Sequence, residues 1–218
     1  MNKKILFCGG GSDLALNLAK NLKSYDILNI SRKTNRIYKK NILIKNYSGK
    51  ELKKKLSKLK EKFDFVIIFN GIFNFSVLSS FNEKNFIDIM KSNVITPLNI
   101  VNKIIANNLL KKKSNIFFLS SNASIKPEIG NAYYAISKNI LNFSSKILNK
   151  ENKKRNFRFN IISLGIVDNR MGLEAKKLTD FRKNKLSKPD ISSKKNLIIY
   201  VKQILQNPKK IKFLKYIN

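Results

Sequence analysis

Residues 3–23 read KKILFCGGGSDLALNLAKNLK. A short apolar run at 5–8 passes straight into Gly9, Gly10 and Gly11. The segment from Ser12 to Lys23 then places its leucines at helical spacing. This is a strand, a tight turn and a helix. Consecutive glycines allow the turn and let a ligand approach the backbone closely. The helix that follows aims its free N–H groups and positive dipole end at whatever sits above it, which suits a phosphate. The motif is not a full G-x-G-x-x-G. It is not a P-loop either, since no G-K-[ST] follows. Taken alone it is equally an ordinary glycine-rich strand–helix turn.

The same alternation continues outward. Short apolar, aromatic and β-branched runs lie at 26–30, 41–45, 63–69, 114–119, 157–163 and 210–216. They read as strands, several of them buried on both faces. Between them, residues 49–62, about 82–108, about 132–149 and 190–205 carry helical periodicity. Residues 31–40 leave little room for a helix. Strands alternating with helices predict a doubly wound α/β fold with a parallel sheet. Without repeats or a linker, residues 1–218 are taken as one domain.

Composition narrows the function classes. Apolar residues make up 43% of the chain, enough for a packed core. No apolar run nears the roughly 18 residues of a membrane span. Only about four apolar residues precede the glycines, too few for a signal peptide, so a cytoplasmic location is expected. One cysteine and no histidine argue against disulfides and zinc. The formal charge is +32, which suggests a polyanion partner. Yet 39 of the 45 basic residues are lysine, spread along the chain beside 30 asparagines and only 7 alanines. That pattern matches drift toward A/T-rich codons. A surface built for nucleic acid favours arginine, so no specific nucleic-acid partner is expected.

Two further placements carry chemistry. After the second run comes Ser31-Arg32-Lys33, with no acidic residue from Ile27 to Lys40. NAD sites of this architecture hold the ribose hydroxyls with a carboxylate near there. A cationic pocket suits a 2′-phosphate instead, favouring NADP over NAD. The fifth run ends in Ser120-Ser121, and Tyr134 follows Ser121 by thirteen residues, with Lys138 four further on. On a helix Tyr134 and Lys138 share a face. A nearby ammonium is expected to lower the phenol's pKa from about 10 and ready it for proton exchange with a carbonyl oxygen. Ser121, at a strand's carboxyl end, is placed to hydrogen-bond the same oxygen.

In this order and position, the glycine turn, Ser121 and the Tyr134/Lys138 pair resemble the short-chain dehydrogenase/reductase family in its shorter form, over roughly residues 3–206. The family's T-G-x-x-x-G-x-G corresponds to Cys8–Ala15. Its N-N-A-G corresponds to Ile68-Phe69-Asn70-Gly71, with only the glycine in register. Its P-G-x-x-x-T corresponds to Leu164–Asn169, which keeps Gly165. The resemblance implies a Rossmann-type sheet of about seven strands with helices on both faces. It implies Asn93, Ser121, Tyr134 and Lys138 as catalytic residues, with Asn93 ordering a relay water. It places the cofactor on Gly9, Gly11, Ser12, Asp13, Leu14, Ser31, Arg32, Asn46, Asn70, Gly71, Tyr134, Lys138, Gly165 and Ile166. Asn46 would lie near the adenine and Ile166 near the carboxamide. Asp13 is expected to cap the helix, and Cys8 in place of threonine to loosen the turn.

The activity so implied is an NADP(H)-dependent carbonyl reductase or alcohol dehydrogenase acting on a small molecule, as a homodimer or homotetramer. The alternatives are an NADP-binding regulatory protein without turnover and a polyanion-binding module. Residues 122–131 and 166–187 are expected to shape the substrate site. Their Lys126, Arg170, Lys176 and Lys177 hint at an anionic substrate.

Overall fold

A computed structural model describes residues 3–47, 49–167, 171–173, 191–208, 211–212 and 214–217. The strands are β1 (Lys4–Cys8), β2 (Asp26–Ser31), β3 (Lys40–Leu43), β4 (Phe63–Ile68), β5 (Leu110–Ser121), β6 (Arg158–Leu164), β7 (Ile166–Val167), β8 (Ile191–Ser192) and β9 (Leu214–Ile217). The helices are α1 (Asp13–Lys20), α2 (Gly49–Leu56), α3 (Glu83–Met90), α4 (Thr96–Ala106), α5 (Ala132–Glu151) and α6 (Lys194–Gln206). Seven strands form one parallel sheet in the order β3-β2-β1-β4-β5-β6-β9. The chain works outward from β1 to β3, returns to β4, and works outward again. The order therefore reverses between β1 and β4, which opens a crevice at the carboxyl ends of those strands.

Alternating side chains divide the core. Ile5, Phe7, Phe65, Ile67, Phe117 and Leu119 point to one face, against α1 and α6. Leu6, Cys8, Val66, Ile68, Ile116 and Phe118 point to the other, against α2, α4 and α5. Both faces are covered, which is why the strands read as unbroken apolar runs. A fully buried side chain such as Phe118 is worth roughly 1.5–3 kcal/mol by removal from water.

Three segments depart from the sequence reading. The helix expected over 82–108 is two helices joined by a π-turn at Lys91–Ile95. Pro97 has no N–H to give the carbonyl of Asn93 four residues before it, so the ladder slips by one there. Strand β5 begins at Leu110, four residues early, because Lys111–Lys113 hide its polar start; Lys113 takes a positive φ of 67°. The third is the two-residue parallel pair of β7 with β8, Ile166 to Ile191 and Val167 to Ser192. Of the presumed substrate segment 166–187, residues 168–170 and 174–187, with Arg170, Lys176 and Lys177, lie outside the described residues.

Candidate active site

The glycine turn lies at the crevice. Gly9 has φ +80°, a conformation that side chains strain against, and a Cβ there would also press on Asn70 Oδ1 at 3.1 Å. Gly10 is packed shut from behind: a Cβ would collide with Asn29 Oδ1, and the Tyr38 hydroxyl donates to the Gly10 carbonyl at 2.7 Å. A Cβ at Gly11 would meet only Ser31, at an ordinary contact distance of 3.9 Å. The cap of α1 is Ser12, whose Oγ accepts from Ala15 N at 3.3 Å. This corrects the expectation for Asp13, which is the first helical residue and sits one place too late to cap. The side chain of Leu14 belongs to the core.

Backbone bonds hold the turn on both sides of Cys8. Cys8 is fully buried, while Gly9 N donates to Ile30 O at 2.9 Å and Phe69 N to Cys8 O at 2.8 Å. Tyr47, which the sequence reading passed over, adds a cross-link. Its hydroxyl donates to Ile30 O at 3.1 Å and lies near the Asn70 side chain and the Gly9 backbone. The phenol thus holds the end of β2 and sits beside the ends of β1 and β4, the place where the family's N-N-A-G pattern is lost. Burial pushes its pKa up to about 12. The only sequence signal was an aromatic residue directly after Asn46, at the carboxyl end of β3.

Around that end, Ser31 is turned inward. It accepts from Asn29 Nδ2 at 3.0 Å and donates to Lys33 O. Arg32 and Lys33 are exposed just beyond β2. Asn46 follows β3, where its N–H and that of Lys45 donate to Glu51 at 3.1 and 2.9 Å; those bonds hold the Glu51 carboxyl below its usual range.

A second cluster forms where β4, β5, the π-turn and α5 meet. Asn93 clamps the strap after Gly71: its Oδ1 accepts from Ile72 N at 2.8 Å, and its Nδ2 donates to Ile72 O at 3.0 Å and Ser137 Oγ at 2.9 Å. A Cβ on Gly71 would lie 3.2 Å from Lys138 Nζ and 3.3 Å from Asn93 Oδ1, so all three converge there. Lys138, 4% exposed, donates to Leu119 O at 2.9 Å. Ser121 ends β5, accepts from Ala123 N at 3.2 Å, and lies near the Tyr134 hydroxyl. Asn93, Ser121, Tyr134 and Lys138, scattered over 46 positions of sequence, thus meet beside Gly71. Gly165 and Ile166 follow Leu164, the partner of Ser121 across β5 and β6, and Gly165 N donates to Ser192 Oγ at 2.6 Å.

The electrostatics differ from the sequence expectation. Burial raises Tyr134 to about 12, against a smaller lowering by Ser121, and burial lowers Lys138 to about 8. The ammonium is 5.6 Å from the Tyr134 ring centre and is directed at Leu119 O. The expected lowering of the phenol by the lysine is therefore not what sets its state; desolvation dominates both groups.

A family model described as short chain dehydrogenase matches residues 45–180. A short chain dehydrogenase family protein from Francisella tularensis subsp. tularensis SCHU S4 is similar in structure, with TM-score 0.82 and 16% identity, covering 99% of this chain and 97% of that one. A short-chain dehydrogenase/reductase from Serratia marcescens BCRC 10948 gives TM-score 0.79 at 16% identity, with 99% and 95% covered. BdcA, solved in complex with NADPH, gives 0.78 at 14% identity, with 99% and 92% covered. Likeness at such identities speaks for the fold. No curated protein matches the sequence significantly. Among the described residues, no helix is long and apolar enough to cross a membrane.

Proposed function

Given that this chain belongs to the short-chain dehydrogenase family, we propose that it is an NADP(H)-dependent oxidoreductase that interconverts a carbonyl compound and its alcohol, with Tyr134 as the proton donor and acceptor. The observation that carries this is the meeting of Tyr134, Ser121, Lys138 and Asn93 at the carboxyl edge of the sheet, two strands from the Gly9 turn.

The residues present fit a dinucleotide. Gly11 lies next to the Ser12 cap of α1, and a Cβ there would meet only Ser31, at 3.9 Å. Asn70 Oδ1 is buried beneath Gly9 without a hydrogen-bond partner among the described residues. Arg32 is exposed beyond β2 in a stretch without carboxylates, which favours a 2′-phosphate and so NADP over NAD. Gly9, Gly11, Ser12 and the backbone of Asp13 and Leu14 would hold phosphates. Ser31, Arg32 and Asn46 would hold the adenosine half, and Asn70, Gly71, Tyr134, Lys138, Gly165 and Ile166 the nicotinamide half. The cofactor supplies or accepts hydride when bound.

The chain's own residues handle the oxygen and its proton. Ser121 fixes the substrate oxygen and the Tyr134 hydroxyl together. Tyr134, with a pKa near 12, stays protonated at neutral pH and gives its proton to an oxygen becoming an alkoxide, a far stronger base than phenolate. Lys138, near 8, exchanges protons readily at neutral pH and resupplies the site beside Asn93. For assembly we propose a homo-oligomer, since Ile87, Ile95, Phe143 and Ile147 leave apolar surface exposed on α3, the π-turn and α5.

The test is NADPH oxidation, followed optically, against a panel of ketones and aldehydes. Turnover of at least one, with NADPH preferred to NADH, is expected. Tight NADPH binding with no turnover on any carbonyl would contradict the proposal.

A further inference from the structure

We propose that the carbonyl compound taken by this site is neutral and hydrocarbon-rich, with its apolar group resting against Phe73. This builds on the reading of Tyr134 as the proton donor. The Phe73 ring meets the Tyr134 ring edge-on, with centroids 5.4 Å apart and planes at 79°. It stands two residues after Gly71, where Lys138 and Asn93 converge. Its position is fixed on both sides. Asn93 clamps Ile72 through both backbone groups. Ser76 pairs with Asn131 and the start of α5: Ser76 N donates to Gly130 O at 2.9 Å, and Tyr133 N to Ser76 Oγ at 3.0 Å. The strap 72–76 is thereby stapled to the strap 125–131, which leads into Tyr134.

These two straps expose large apolar side chains to water: Ile72 at 40%, Ile125 at 51% and Ile129 at 67%. Such exposure on the straps that carry Phe73 and lead into Tyr134 marks a surface that a ligand would cover. Charge points the same way. In a chain with 27% charged residues, none occurs from Phe65 through Asn82. The strap 125–131 carries Lys126 and Glu128, which are of opposite sign. A carboxylate or phosphate brought against Phe73 would lose its water against straps that carry no net charge, their one cation, Lys126, lying two residues from Glu128. A hydrocarbon group gains there, by about fourfold in affinity for each buried methylene.

Acetophenone and 4-acetylbenzoate differ by one carboxylate and make the decisive pair. Their binding is measured by ligand-observed NMR with NADP⁺ present, so that no hydride is available, and at roughly 0.5 M salt to screen the general positive field. Acetophenone is expected to bind at least about tenfold more tightly than 4-acetylbenzoate, and Phe73→Ala to weaken it about tenfold. Ile129→Lys, at an exposed position with little to lose in folding, is expected to shift the preference toward 4-acetylbenzoate. Equal or tighter binding of 4-acetylbenzoate by the unmutated protein, or binding of neither ketone, would overturn the proposal. Turnover of acetophenone undiminished by Tyr134→Phe would instead overturn the proton-donor reading and leave the substrate class standing.

Discussion

The Lys138 ammonium donates to the Leu119 carbonyl at 2.9 Å while lying 5.6 Å from the centre of the Tyr134 ring. The lysine is thus anchored to the strand that carries Ser121, and burial governs its charge.

That anchoring has a pH signature in stability. The folded pKa, about 8, lies below the ordinary 10.5, so between those values the unfolded chain binds more protons than the folded one. The protein therefore gains stability as pH rises from about 8 to 10.5, by roughly 3 kcal/mol at most. Below pH 8 both states are protonated and the burial penalty is constant. Urea midpoints at pH 7 and pH 9.5 should show this gain in the wild type and not in Lys138→Met. Equal pH slopes for the two proteins would argue against it.

Gly10 should prove a packing glycine. Gly10→Ala drives a methyl group into Asn29 Oδ1 and is expected to cost about 1–3 kcal/mol. Adding Asn29→Ala should recover about 1 kcal/mol, a coupling readable in a double-mutant cycle by denaturation. Strict additivity would mean that the contact carries no strain.

How much of this was legible in sequence depends on range. The parallel sheet and the approximate strand positions followed from alternation, because both faces of Phe65–Ile68 and Ile116–Leu119 are buried. Tyr134 and Lys138 were legible because a helix fixes their spacing. The clamp of Asn93 on Ile72 was not, since it spans 21 residues and needs the π-turn that Pro97 forces. Tyr47 was hidden for a similar reason: its hydroxyl bonds Ile30 and lies near Gly9 and Asn70, whose nearness only the sheet order creates. The state of Tyr134 was misjudged because spacing reveals a neighbouring charge but not the direction of its hydrogen bond.

Tyr47→Phe removes that cross-link and little else. NADPH affinity is expected to fall roughly fivefold, the worth of one buried hydrogen bond, with kcat nearly unchanged. Fluorescence titration of NADPH checks the first part and steady-state rates the second. An unchanged Kd would show that the glycine turn does not depend on the phenol.

Arg32→Ala tests cofactor choice. The side chain is exposed, so the loss is modest: about tenfold in NADPH affinity, with NADH affinity unaltered. Parallel titrations give the ratio. Equal weakening of both cofactors would place Arg32 away from the 2′-phosphate.

The most direct measurement is Tyr134→Phe, assayed for NADPH binding and for NADPH-dependent ketone reduction in the same preparation. Binding should be retained within a few-fold while turnover falls by about 10²–10⁴, the worth of a positioned proton donor. Undiminished turnover in Tyr134→Phe would contradict the account.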